Sequence, residues 1–305
     1  MGTPEFAKIS LEFLVNYNYD VAGVVTQPDK PQGRKMKLTP PPVKECAVSK
    51  NIDVYQPATL KSKTFRALLE NINPDVIIVV AYGKMLPKAV IDYPRFGCIN
   101  IHASLLPKYR GAAPINAAIM QGDKITGITS MYMDENIDTG DMILKEEIEI
   151  GEAENFGELH DRMAALGGEV LVKTLERIES GAFKREKQPE HGATYAGKID
   201  NETCVIDWNR PASEIHNQIR ALSPNIGAVT YFESKKLKIF RSEITAMPEN
   251  LKDKQPGEFA VNNKNLEVRT KDGAIKIQEL QPEGSKKMSA RDYINGKKIT
   301  GGILK

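Results

Sequence analysis

Three short apolar runs limit what this chain can fold into: DVAGVVTQ (20–27), PDVIIVVAY (74–82) and GCINIHAS (97–104). Nearly continuous Val and Ile suit strands buried on both faces, the condition of a parallel sheet with helices on each side. Helical patterns at 41–50, 62–72 and 112–122 supply that cover, with Pro114 suited to an early helical turn. The alternation predicts an open α/β sheet, whose sites collect beyond the carboxyl ends of the strands. Thr3-Pro4-Glu5 reads as the start of a helix running to about Asn16, with no strand ahead of it. A doubly wound sheet normally opens with a strand, so the order here begins one element late.

The second half of the chain has a different pattern. TGITSMYMDENIDTGDMILKEEIEI (126–150) predicts two alternating strands around an acidic loop, and 153–181 a long helix ended by Gly181. Residues 182–200 lose periodicity and read as a linker. A helix at 212–222 and strands at 226–232, 236–244, 257–262, 265–270 and 274–281 predict a small β-barrel. The expected domains are therefore 1–181 and 201–305, joined by 182–200. Charge follows the same division. Residues 1–200 hold 24 Lys and Arg against 27 Asp and Glu, whereas 201–305 hold 18 against 13. A basic second half suits a polyanionic partner, and equally a solvated surface.

No apolar run approaches the roughly 18 residues of a membrane span, and the N-terminus lacks a signal-peptide layout. The three cysteines (Cys46, Cys98, Cys204) are scattered and odd in number, which argues against a disulfide framework. A cytoplasmic protein with no membrane contact is expected, and a monomer.

Two polar residues interrupt the third apolar run. Asn100 and His102 are two apart on a strand and so share one face. An amide N–H can donate to an oxygen gaining negative charge, and an imidazole can take a proton near neutral pH. Together they form half of a carbonyl-addition site, though from N-x-H alone a hydrogen-bonded polar pair at a strand end is the stronger reading. A carboxylate would support the protonated imidazole, and the loop DENIDTGD offers Asp134, Glu135, Asp138 and Asp141 without spacing choosing among them. SLLPKYRGAAP adds an extended apolar edge suited to a flat ring or to core packing, then Lys108 and Arg110 for an anion.

Taken in order, GTPEFA (2–7), TQPDKPQGR (26–34), PVK (42–44), AYGKMLP (81–87), NIHASLLPKYRGAAPI and DENIDTGDMI resemble the folate-dependent formyltransferases over nearly the whole chain. QIRALSPNIGAVTY (218–231) is similar to the start of that family's C-terminal domain. The resemblance implies a Rossmann-like, mostly parallel sheet of the formyltransferase fold followed by an OB-like β-barrel. It implies 10-formyltetrahydrofolate as donor, the amino group of methionine on initiator methionyl-tRNA as acceptor, and no metal. Asn100, His102 and Asp138 fall on the family's catalytic Asn, His and Asp, and Ser104, Leu105, Leu106 and Pro107 on its folate-contact segment. The long basic loop 26–44 matches an insertion that approaches the acceptor end of the tRNA, making Arg34, Lys35 and Lys37 candidate contacts. The barrel would hold tRNA phosphates through Lys235, Lys236, Lys238, Arg241, Lys286, Lys287, Lys297 or Lys298. Whether His102 serves as base or as oxyanion donor stays open.

The rival readings are a formyltransferase for another amine, such as an amino-sugar nucleotide, and a nucleic-acid-binding protein with an inactive enzyme-like half. A dinucleotide dehydrogenase is disfavoured because no G-x-G-x-x-G follows a strand. The four histidines lie far apart in sequence and no H-E-x-x-H occurs, which disfavours a metalloenzyme.

Overall fold

Buried β-branched residues and closely packed helices divide the chain into two units in the computed structural model, which describes residues 1–32 and 36–305. The first unit comprises Met1–Pro114, Ile125–Glu149 and His160–Ala196. The second comprises Ile115–Lys124, Ile150–Leu159 and Gly197–Lys305.

The first unit opens with helix α1 (Glu5–Asn16), followed by β1 (Val24–Val25), a β2–β3 hairpin (Lys30–Gln32 with Lys37–Thr39) and α2 (Pro42–Ser49). After β4 (Val54–Tyr55) come α3 (Lys63–Ile72), β5 (Ile77–Val79), α4 (Lys88–Ile91) and β6 (Cys98–His102). Then come β7 (Arg110–Gly111), α5 (Pro114–Gln121), β8 (Ile125–Tyr132), β9 (Met142–Glu149), α6 (Phe156–Glu179) and β10 (Tyr195–Ala196). The main sheet runs β5-β6-β8-β9, parallel at β5–β6 and antiparallel beyond, while β1 pairs with β4 in parallel. Ile99, Ile101 and Ile128 are buried in this sheet, each such side chain contributing about 1.5–3 kcal/mol on leaving water. Local signals place the helices: Ser62 accepts the Phe65 N–H to cap α3, and Pro42 opens α2.

In α6 the adjacent Gly167 and Gly168 have a packing reason. A Cβ on Gly168 would lie 2.3 Å from the Phe13 ring, and one on Gly167 2.9 Å from the Phe6 ring, so α1 approaches α6 only because both are Gly. That contact offsets the propensity cost of about 1 kcal/mol per Gly in a helix interior.

The chain start departs from expectation. Met1 and Gly2 bond to both flanking strands: Gly2 N–H to the Val25 carbonyl, Val80 N–H to the Met1 carbonyl, and the amino group to the Ile78 carbonyl. Burial pushes that amino group down to about 6. A cavity of about 460 Å³ is lined by Met1 and Gly2 together with Leu11, Leu14, Phe65, Ile78 and Leu175. The strand expected at 20–27 is short, Val24–Val25 only.

In the second unit α7 (Asn201–Cys204) is capped by Asp200 and α8 (Ala212–Ala221) follows Pro211. The strands are β11 (Ala228–Phe232), β12 (Lys235–Thr245), β13 (Glu258–Asn262), β14 (Asn265–Arg269), β15 (Ala274–Pro282), β16 (Met288–Ser289) and β17 (Gly301–Ile303). Helix α9 (Ala290–Lys297) lies between the last two and is capped by Ser289. The sheet is antiparallel in the order β11-β12-β15-β14-β13-β17, with β16 on β15. Tyr231 and Lys305 exchange backbone bonds of 2.8 and 2.9 Å, so the sheet curls until its far end returns to β11, the OB-like form expected. Two-residue turns at Glu233-Ser234 and Asn263-Lys264, all four residues with positive φ, match the right-handed twist of their hairpins. Trp208, Ile215, Ile219, Leu237, Ile239 and Val268 fill the core. Residues 288–303, which carry β16, α9 and β17, had no periodic signal because these elements are short and half-polar.

Of the barrel cations proposed from sequence, Lys235, Arg241, Lys286, Lys287, Lys297 and Lys298 are exposed. Lys238 donates instead to the Ile226 carbonyl, and Lys287 sits 3.7 Å above the centre of the Phe240 ring. No helix among the described residues is long and apolar enough to cross a membrane.

All three thiols are free and buried, and burial pushes Cys98 up to about 12 and raises Cys46 and Cys204. A thiol reagent at pH 8 should therefore modify the native protein slowly, then release three equivalents rapidly once denaturant is added. Burial, then the Arg220 charge, lowers the His216 pKa, and its Nδ1 lies 3.0 Å from the Ser242 hydroxyl. The unfolded chain therefore takes up a proton below pH 6.5 that the folded one does not, so stability present above 6.5 is lost on acidification. His216→Asn should flatten the fall in melting temperature as the pH drops below 6.5; parallel profiles for the two proteins would exclude His216 as the cause.

Candidate active site

Strand β6 ends at His102, where β8 pairs antiparallel beside it with His102 opposite Thr129. Asn100 is half-buried and His102 is only 6 % exposed, so the polar pair projects from a packed strand. The His102 Nε2 atom lies 2.9 Å from the Tyr109 carbonyl oxygen. A carbonyl only accepts, so Nε2 carries a proton and donates it there. The other nitrogen, Nδ1, faces the Asp138 carboxylate at 3.6 Å.

The structure distinguishes among the four acids of the DENIDTGD loop. Asp134 accepts from the Thr139 hydroxyl and the Asn136 N–H and so closes its own loop. Glu135 is exposed, and the Asp141 carbonyl accepts the Tyr132 N–H beside the β8–β9 pairing. Asp138 alone meets the N-x-H pair: its Oδ1 accepts from Asn100 Nδ2 at 3.3 Å and its Oδ2 from the Gly111 N–H at 2.8 Å. Asp138 sits in the left-handed region with φ 54°, as does Tyr109 with φ 59°. Neither is Gly, so surrounding contacts hold both backbones there.

Much of that support comes from residues 183–196. Within the segment read as a linker, β10 pairs in parallel with β7, and the Ala112 N–H donates to the Ala196 carbonyl. Thr194 accepts the Tyr109 N–H on its hydroxyl and the Arg110 N–H on its carbonyl, fixing the two residues that immediately precede Gly111. Glu186 and Met142 exchange backbone bonds at the start of β9. Gln188 joins Arg110 to the Asp138 turn. None of this was read from the sequence; the only local signal was the β-prone pair Thr194-Tyr195 in an aperiodic stretch.

Side chains of the Ser-Leu-Leu-Pro segment divide by role. Ser104 is fully buried with its hydroxyl donating to the Lys108 carbonyl, and Leu106 packs against Met131 and Met142. Thr129 bridges the Ser104 carbonyl and the Leu106 N–H, while Lys145 holds the Leu106 carbonyl. Leu105 and Pro107 stay half-exposed and are the apolar surface the segment presents. Arg110 is buried, its guanidinium on Gln188. Lys37 lies exposed in β3, and Arg34 and Lys35 lie outside the described residues. Among the described residues no group of three His, Cys, Asp or Glu could hold a metal ion.

Known proteins resemble the chain throughout its length. Residues 2–175 match the family described as Formyl transferase, and residues 198–298 match the Formyl transferase C-terminal domain. A methionyl-tRNA formyltransferase of Caldanaerobacter subterraneus subsp. tengcongensis is 48% identical over 305 residues, covering 100% of this chain and 98% of that one. Another from Acetivibrio thermocellus is 46% identical over 303 residues, covering 99% and 97%. Among solved structures, WlaRD, a sugar 3N-formyl transferase crystallised with dTDP and 5-N-formyl-THF, has a TM-score of 0.67 at 20% identity, covering 93% of this chain and 97% of WlaRD. HypX from Aquifex aeolicus in complex with tetrahydrofolic acid has a TM-score of 0.59 at 21% identity, covering 81% of this chain and 43% of HypX. With both family segments matched in order and almost half the residues identical over the full length, the chain belongs to the formyl transferase family that includes the methionyl-tRNA formyltransferases.

Proposed function

We propose that this protein transfers the formyl group of 10-formyltetrahydrofolate to the amino group of methionine on initiator methionyl-tRNA, in the cytoplasm. Near-complete coverage at 46–48% identity by methionyl-tRNA formyltransferases carries the choice of acceptor. The convergence of Asn100, His102 and Asp138 at the end of β6 supports the chemistry.

Each side chain has a role set by its hydrogen bonds. The Nε2 proton of His102 is engaged by the Tyr109 carbonyl, so Nδ1 is the ring atom left to accept the proton of the attacking amine. That favours the base reading over the oxyanion-donor reading. Asp138 faces Nδ1 and supports the imidazolium that forms; the same nitrogen then returns the proton to the departing amine of the donor. Asn100 Nδ2 has two hydrogens: one points to Asp138 Oδ1 and the other can meet the formyl oxygen as it gains charge. Burial of His102 limits competing water. The half-exposed Leu105 and Pro107, on a backbone pinned by Thr129 and Lys145, would hold the folate. Exposed Lys37 in the hairpin and the exposed barrel lysines would engage tRNA phosphates, and Arg34 and Lys35 complete that basic loop.

Asn100→Ala should lower turnover about 10²- to 10³-fold, and His102→Ala and Asp138→Ala by comparable factors. Melting temperatures should stay close to the parent's, and near-normal turnover of His102→Ala would remove its assignment as base. The acceptor is tested by offering 10-formyltetrahydrofolate with charged initiator tRNA, glycinamide ribonucleotide and an amino-sugar nucleotide in parallel. Transfer is expected only to the methionyl-tRNA; transfer only to the amino sugar would overturn the reading.

A further inference from the structure

We propose that Gln188 is a positioning residue for the Asp138 carboxylate, acting as a two-ended clamp between the turn that carries the acid and the backbone that holds it. The inference rests on the reaction proposed above. The Gln188 Oε1 atom accepts from Arg110 Nε at 3.0 Å and Nη2 at 2.7 Å. Its Nε2 donates to the carbonyls of Asp138 at 2.8 Å and Gly140 at 2.9 Å. Both ends of the amide are therefore filled, and each end reaches a different part of the site. Arg110 immediately precedes Gly111, whose N–H holds Asp138 Oδ2. The two carbonyls flank Thr139 in the turn that keeps Asp138 at φ 54°.

The chemistry of an amide suits this place better than any other side chain of its length. Arg110 is buried and has only donors to offer, so its partner must accept. The turn offers only carbonyls, so its partner must donate. A carboxylate would serve the first and repel the second; an ammonium would do the reverse. Without the clamp the left-handed turn is free to relax, and the 3.6 Å approach of Asp138 to His102 Nδ1 relaxes with it. Gln188 touches neither reacting group, so it works through Asp138 alone.

The test is a double-substitution cycle read by single-turnover formylation of initiator methionyl-tRNA with 10-formyltetrahydrofolate. Gln188→Met should lower the rate about 10- to 100-fold, as a misplacement of roughly 1 Å would. KM for either substrate should move less than about threefold, because the variant leaves the binding surfaces intact. In an Asp138→Asn background the same substitution should change the rate by less than about twofold, since the group it positions is already disabled. Gln188→Glu retains an acceptor for Arg110 but lacks the donors. It should lose as much activity as Gln188→Met while keeping a melting temperature within a few degrees of the parent's. A Gln188 effect that multiplies fully onto Asp138→Asn, or a near-normal rate for Gln188→Glu, would overturn the inference and leave the reaction assignment standing. A near-normal rate for Asp138→Asn alone would instead overturn the catalytic role of Asp138, and the inference with it.

Discussion

One carboxylate, that of Asp138, is where the geometry of the site is decided. It receives the Gly111 N–H and the Asn100 amide, and it faces the one His102 nitrogen not engaged by Tyr109. Those three partners come from β6 and β7, while the acid itself comes from the β8–β9 turn. A strand end alone sets the separation of Asn100 and His102. Placing an acid from another element against them needs the turn to be held in a conformation that non-glycine residues rarely adopt. Backbone bonds from Thr194 and Ala196 on one side and the Gln188 amide on the other meet that need.

The tautomer of His102 follows from the same arrangement. A neutral imidazole with its proton fixed on Nε2 turns a lone pair toward a carboxylate, an arrangement that improves once Nδ1 gains a proton. In the proposed reaction Nδ1 takes the proton that the attacking amine loses, with the Asp138 carboxylate facing it. His102 and Tyr109 are buried, while Asn100 and Asp138 are half-buried and form the side of the site open to a substrate.

Asn100 and His102 were legible in the sequence because polar residues two apart in an apolar strand share a face and demand partners. The helices at 42–49, 63–72, 156–179 and 212–221 were legible for the same kind of local reason, through caps, proline placement and periodicity. Asp138 was not separable from Asp134, Glu135 and Asp141 by spacing, since all four lie in one turn and only tertiary contact distinguishes them. Gln188 and Thr194 were invisible for a deeper reason. Their role is to hydrogen-bond backbone from elsewhere in the chain, which leaves no period and little composition bias in the segment that carries them. The short pairing of Met1 and Gly2 with β1 and β5 was hidden likewise, because two residues make no pattern.

Chemistry and recognition separate along the chain. Every residue argued to act on the formyl group or to position one that does lies within the first unit, between Asn100 and Ala196. The exposed cations proposed to meet tRNA lie in the β2–β3 hairpin and in the second unit, while Lys108, Lys184, Arg185 and Lys187 are exposed within the same span as the site. Formyl transfer to an amine needs only a donor amide, a base and a fixed acid, and these say nothing about which amine arrives. Phosphate-seeking lysines, by contrast, hold a polyanion without touching the reacting atoms. In the proposed reaction, acceptor choice then rests on where positive charge is displayed, and the rate on how firmly Asp138 is held.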